Sequence, residues 1–284
     1  MNLIANESTI SPWPATRMLC WREIVRFLRQ RNRVVGAFAQ PIVFWLLFGT
    51  GLQKSFQLGG TGSASGSLSP SFLTYYYPGT LMLILLFTAI FATISIIEDR
   101  KEGFLQGVLI APIPPWSIVL GKVLGGALIA TAQGIAFLFL GWFVGAGEDV
   151  VALLATIPLL FLAATAMTSL GFVIAWRMES TQGFHAIMNL ALMPMWLLSG
   201  AFFPIPALSG ETAIGQIALH WVMRLNPLTY AVAGARQQLF DGTLPAGFWA
   251  PSLSVCWLVT IGFAGAMFMA AWRISAKRVG GDQV

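Results

Sequence analysis

At 284 residues the chain is 57% hydrophobic and only 10% charged, with a formal net charge of +5 and a mean hydropathy of +0.76. Soluble chains average about 25% charged residues, so a water-soluble globular domain is excluded, and several runs reach the roughly 20 apolar residues that cross a bilayer. The pI of about 9.6 does not point to nucleic acid, because Lys and Arg cluster beside the apolar runs, as the positive-inside rule expects.

Residues 1–12 are polar. From Trp13 to Arg33, arginines alternate with apolar residues. On a helical wheel Met18, Trp21, Ile24, Val25 and Leu28 share one side, with Arg22, Arg26, Arg29 and Arg33 in an adjacent stripe. That pattern predicts a helix lying in the membrane interface, its guanidinium groups on lipid phosphates; a merely basic flank fits the same residues. Val34 to Leu52 reads as a first span containing Pro41, with no A-x-A-like cleavage end, so it is expected to stay as an anchor. Residues 53–74 are a Gly/Ser-rich flexible loop. Tyr75, Tyr76 and Tyr77 form an aromatic belt entering the second span, about Pro78 to Ile97.

The stretch from Glu98 to Gly126 interrupts the apolar pattern. Asp99 with Glu102 three residues on predicts a helix start, with an acceptor for the first-turn amides and acidic charge at the positive end of the dipole. Phe104, Leu105, Val108 and Leu109 then gather on one helical face. Pro112, Pro114 and Pro115 end the helix. Trp116 suits the interface, and Ser117 is expected to cap a third span, roughly Ile118 to Val144. The expectation is one short helix across the membrane surface between two spans, an ordinary polar loop being the plain alternative. Gly121 and Gly125 make a G-x-x-x-G spacing that lets another helix approach.

Glu148 and Asp149 mark a tight outer turn, read as turn solvation and not as a catalytic pair. A fourth span runs from about Val150 to Trp176, and a fifth from Gly183 to Phe203 with His185, Asn189 and Pro194. Ile214, Ile217, Ala218, Trp221, Val222 and Leu225 follow helical spacing, so Ala213 to Leu225 is an amphipathic helix broken by Asn226-Pro227. A second short helix fits Leu228 to Phe240. Neither is long enough to span, so both are expected as re-entrant or interfacial half-helices on the outer side. Ser252 to Trp272 is the sixth span. Under this topology 13 of the 16 Lys and Arg lie inside and three, Lys54, Arg224 and Arg236, outside, which puts both termini and the central loop in the cytoplasm. The organisation expected is a cytoplasmic N-terminal segment (1–33), an all-α six-span permease domain (34–272) and a cytoplasmic tail (273–284). Cys20 and Cys256 fall on opposite sides, so no internal disulfide and no four-ligand zinc site is expected.

The order of these landmarks resembles ATP-binding-cassette exporter permeases of the second type, the family of drug, polysaccharide and nodulation-factor exporters. The acidic and basic cluster Glu98, Asp99, Arg100 ends the second span; Gly103, Leu105 and Pro112 follow, and Gly121-Lys122 opens the third. Later, Pro227-Leu228-Thr229-Tyr230 with Arg236 resembles the family's C-terminal signature, although the segment before it is longer than the family pattern. The resemblance covers nearly the whole chain. It implies that Glu98, Asp99, Arg100, Glu102, Gly103, Phe104 and Leu105 form a coupling helix docking into a cytoplasmic ATPase, with a homodimer of permeases, two ATPase copies and a bacterial inner-membrane location.

The chemistry of the residues agrees with an external energy source. There is no G-x-x-x-x-G-K-[ST] loop, since Gly121-Lys122 lacks the upstream glycines and the following hydroxyl. No cofactor is therefore expected in this chain, ATP and magnesium belonging to the partner. Ion-coupled transport needs ionisable groups near the bilayer centre, and only His185 and Lys122, near helix ends, occur in the spans. A substrate with a large apolar part would slide along an aromatic and methionine-rich surface, for which Phe44, Trp45, Phe48, Met188, Asn189 and Met193 are the candidates. The alternatives are an ion-coupled transporter, or a membrane-embedded lipid-modifying enzyme or assembly factor using Glu211, His220, Arg224, Arg236 or Asp241.

Overall fold

The structure is a computed structural model that describes residues 11–52, 72–143, 149–208, 213–240 and 248–279. The Gly/Ser-rich segment after residue 52, and Lys54, Glu148, Glu211 and Asp241, lie outside the described residues. Among those described, the protein is a helical bundle: α1 (Pro12–Arg29), α2 (Arg31–Gly51), α3 (Phe72–Lys101), α4 (Phe104–Ile110), α5 (Pro115–Phe143), α6 (Val150–Arg177), α7 (Thr181–Trp196), α8 (Ile214–Leu225), α9 (Pro227–Phe240) and α10 (Leu253–Val279). Six segments are long and apolar enough to cross a membrane, on α2, α3, α5, α6, α7 and α10. Backbone groups in hydrocarbon must pair within their own segment, and a helix achieves that.

α3 is the most buried span. α2, α5, α6 and α7 pack around it, while α10 lies outside against α6 and α9. The predicted tyrosine belt is not an interfacial rim but core: Tyr76 and Tyr77 are fully buried, and the Tyr77 hydroxyl donates to the Phe137 carbonyl at 3.0 Å. The helix therefore starts earlier than Pro78, and Pro78 sits inside it.

The predicted single helix from Trp13 to Arg33 is two helices. Gln30 leaves helical geometry (φ −92°, ψ 73°), so α1 stops at Arg29 and α2 starts at Arg31. The fifth span runs from Thr181 to Ala201, close to its expected bounds, but after Pro194 it widens into one π-helical turn, Leu197–Ala201. Beside this turn Asn226 ends α8 and opens α9, its side-chain nitrogen donating to the Met195 carbonyl and its side-chain oxygen accepting from the Leu228 amide at 3.0 Å, with Pro227 at the first helical position where no amide is needed. Asp149 caps α6 by accepting from the Val151 amide at 2.8 Å.

Candidate functional site

Charge in this apolar chain is gathered where α1, α3 and α5 meet. Asp99, fully buried, takes a bidentate pair from Arg22 at 2.6 and 2.9 Å, a bond from Arg26 and one from Lys122 Nζ at 2.5 Å. Lys122 also donates to Glu23 at 2.7 Å, and Arg26 reaches Glu98 at 2.9 Å and Glu102 at 3.3 Å. A buried charge is tolerated only when paired and hydrogen-bonded, and here each buried member has an opposite charge in reach. For Arg22, burial pulls the guanidinium pKa down, but the bonds and charges of Asp99, Glu23 and Glu102 outweigh it and hold the pKa above its ordinary value.

The backbone approach that allows this is encoded in the G-x-x-x-G spacing, whose partner helix is α1. A Cβ on Gly121 would lie 2.8 Å from Leu19 Cβ, and one on Gly125 2.7 Å from Glu23 Cβ. Two glycines thus let α1 lie flat on α5 and bring Glu23 beside Lys122. The ends are tied as well: the Thr16 and Ser117 hydroxyls are 2.6 Å apart, and Ser117 donates to the Pro12 carbonyl at 3.0 Å. Ser117 lies inside α5 and binds α1, so it does not cap its own helix.

These positions correct several expectations. Arg22 and Arg26, expected on lipid phosphates, turn inward to the carboxylates, and the face of α1 that packs on the protein is Thr16, Leu19, Glu23 and Phe27; the apolar side with Met18, Trp21 and Leu28 is exposed, as a side turned to lipid would be. Arg29 is exposed at the end of α1, and Arg33 falls in α2. Asp99 does not start the short helix: α3 runs on to Lys101, and Glu98, Asp99 and Arg100 are its last turns. The break falls at Gly103, whose φ of 76° is left-handed and strained for residues with a side chain. α4 begins only at Phe104.

Arg100 faces the next turn of the bundle, donating to the Trp176 and Met178 carbonyls at 2.6 and 3.0 Å. It satisfies the orphan carbonyls that end α6. On α4, Leu105 is buried and Phe104 lies under the Arg22 guanidinium, 3.7 Å from its ring centroid. Gln106, Gly107 and Ile110 face outward with Glu102 beside them, and Ile110 is 85% exposed.

Of the candidate path residues, Met188, Asn189 and Met193 line one cavity of about 290 Å³ with Gln40, Phe91 and His185. Trp45 does not belong to it: its indole is buried against Tyr77 and Phe137 in the core. Phe44 and Phe48 lie 5.7 Å apart on α2, and Phe48 packs on Tyr76 and Phe202. Pro227, Tyr230 and Arg236 brace the chain. The Tyr230 hydroxyl donates to the Arg224 carbonyl at 2.9 Å. Arg236 Nη2 and the Tyr75 hydroxyl both donate to the Gly200 carbonyl, at 2.9 and 3.0 Å, in the widened turn. His220 is buried with Nδ1 2.8 Å from the Pro206 carbonyl, and the Arg224 guanidinium lies over the Trp221 and Trp249 rings. His220 and Arg224 thus share the Trp221 and Trp249 cluster, while Arg236 is turned to Tyr75 and the Gly200 carbonyl.

Glu23 was not singled out from sequence, although an acid amid arginines on a membrane-flanking helix, with Lys122 eight residues into a span-forming helix, carries the signal. A charge at membrane depth needs a partner.

A multi-pass helical bundle with a buried ion cluster at one end, beside a short helix, defines an integral membrane protein. The chain belongs to the ABC-2 type transporter family, whose model matches residues 14–240. Its relatives include the transport permease ycf38 of Cyanophora paradoxa, 23% identical over 222 residues, covering 77% of this chain and 72% of that protein. Nodulation protein J of Rhizobium meliloti (strain 1021) is 26% identical over 219 residues, covering 75% and 74%. Nodulation protein J of Neorhizobium galegae is 26% identical over 232 residues, covering 80% and 79%. Permeases of this family work with an ABC ATPase.

Proposed function

We propose that the chain is the permease subunit of an ATP-driven exporter in a bacterial inner membrane, with both termini and α4 in the cytoplasm. ATP and magnesium are held by the partner ATPase, which docks on the outward face of α4 formed by Glu102, Gln106, Gly107 and Ile110. The observation that carries this reading is Arg22: one guanidinium stacks on Phe104 of α4 while pairing with Asp99 of α3. Any push on α4 is passed to α1, α3 and, through Lys122, to α5 without a flexible link.

Two permease chains and two ATPases form the working unit. The second copy is supported by Asn189 and His185, polar groups exposed on a span-forming helix, which would be costly against lipid and which a partner chain would cover. The cavity of Met188, Asn189 and Met193 is the start of the path for a lipidic, amphipathic or glycan-type substrate moving outward from the cytoplasm or inner leaflet. The test is affinity purification of the full chain from its own membranes. An ABC ATPase is expected in the eluate, and Ile110→Asp should remove it while the permease stays folded; a permease purified alone, or an ATPase retained by Ile110→Asp, overturns the reading.

A further inference from the structure

A second cavity shares no lining residue with the ion cluster or the Met188 pocket. It is a groove of about 640 Å³ between α1, the start of α2 and the middle of α5, within the roughly 300–1,000 Å³ of small-molecule pockets. Phe27 and Leu28 of α1, Val34 and Val35 of α2, and Leu128 and Ala132 of α5 form its walls. Among the described residues the one strongly polar side chain lining it, Gln133, already accepts a hydrogen bond from Thr88 through its side-chain oxygen. Such a surface rewards hydrocarbon and offers little to a polar molecule.

At the mouth of the groove is the elbow between the first two helices. Arg29, Gln30, Arg31 and Asn32 line an open recess of about 480 Å³, and the residues on either side of them in the chain, 27–28 and 34–35, line the groove. In one unbroken helix Arg29 and Arg31 would point away from each other. The break at Gln30 brings both to a single recess. Both are exposed, and among the described residues no carboxylate is in ion-pair range of either, whereas Arg22 and Arg26 on the same helix are saturated by Asp99 and Glu98.

We propose that this elbow is a binding site for an anionic phospholipid, one acyl chain in the groove and the phosphate on Arg29 and Arg31. The guanidinium fork matches phosphate oxygens in two-point bonds, and basic pockets beside spans hold anionic head groups in this way. The Gln30 and Asn32 amides add donors at the same level. The charge complementarity selects the occupant: an apolar slot beside two exposed guanidinium groups suits a ligand that is hydrocarbon at one end and anionic at the other. The inference does not depend on the transported substrate or on the ATPase.

The experiment is native mass spectrometry of the full chain in detergent, with equimolar phosphatidylglycerol and phosphatidylcholine of matched chains. The wild type is expected to retain phosphatidylglycerol in preference by on the order of tenfold. Arg29→Gln with Arg31→Gln should erase that preference and leave phosphatidylcholine retention unchanged, while Arg273→Gln with Lys277→Gln, at the far end of the chain, should keep it. Ala132→Phe, filling the groove, should lower retention of both lipids; Val35→Phe fills it from the opposite wall should the first variant not fold. Equal retention of the two lipids by the wild type, or a preference that survives in the Arg29/Arg31 variant, overturns the proposal. So does a groove-filled chain that changes oligomer mass with lipid retention intact, which would assign the groove to a second copy.

Discussion

Asp99 accepts from three cations while fully buried, so its charge cannot be removed without stranding at least part of Arg22, Arg26 and Lys122. Asp99→Asn is expected to destabilise by about 3–5 kcal/mol, the range for breaking a buried ion pair, read as a fall in the thermal unfolding midpoint of the purified chain. Glu102 makes a bond of the same type to Arg26, but its side chain is 62% exposed, and Glu102→Gln should cost less than about 1 kcal/mol. Cys20, half-buried on α1, has its thiol pKa raised by burial and then by the charge of Glu23. Its alkylation at pH 7 should therefore be slower than that of a free thiol, and the rate should keep climbing with pH beyond the ordinary thiol value. Glu23→Gln removes one of the two causes and should speed the reaction at neutral pH. A maleimide rate profile measures both, with the fully buried Cys256 as an unreactive comparison. Charge at these positions was legible as residue type. What could not be read was direction, because a wheel places Arg22 and Arg26 on a stripe without saying whether water, phosphate or carboxylate faces it.

At the scale of elements, most of the helices follow from composition: an apolar run of spanning length in lipid has a helix as its one open solution, and proline-rich turns separate the runs. The breaks are harder. Asp99-x-x-Glu102 has the look of a helix start, yet the chain continues as α3 and turns at Gly103, because a left-handed residue breaks the helix more decisively than a potential cap begins one. Gly103→Val should strain that turn by about 1–3 kcal/mol and misplace α4, lowering ATPase retention while the spans stay helical by circular dichroism. The contact of α1 with α5 gives a sharper test. Gly125→Val places atoms where Glu23 Cβ and the Cys20 carbonyl now lie, so α1 should lift and Cys20 should become rapidly alkylated; unchanged alkylation would contradict the packing. The amphipathic face of α8 was correctly drawn as a stripe, but Ile214, Trp221, Val222 and Leu225 remain exposed on it. An apolar stripe in a membrane protein need not face protein, since lipid serves as well.

For the molecule as a whole, the bundle has two chemically distinct ends, one with the ion cluster and α4, the other with α8, α9 and the Trp249 cluster. If the charged end is cytoplasmic, as the distribution of Lys and Arg argues, Ile110→Cys should react with a membrane-impermeant thiol reagent only in inside-out vesicles, and Leu225→Cys only in right-side-out ones. The reverse pattern would invert the topology and remove α4 from reach of any cytosolic ATPase.

The sequence by itself determined that this is a six-span helical membrane protein, where each span lies to within a few residues, and which family it resembles, because hydrocarbon thickness and backbone pairing leave few alternatives to a run of apolar residues. Only the tertiary structure decided which helix fills the G-x-x-x-G surface, that Glu23 and Lys122 meet Asp99, that Trp45 belongs to the core, and that the chain bends at Gln30. Those are questions of which face meets which across a hundred residues of chain, and a periodic pattern carries the face but not its partner.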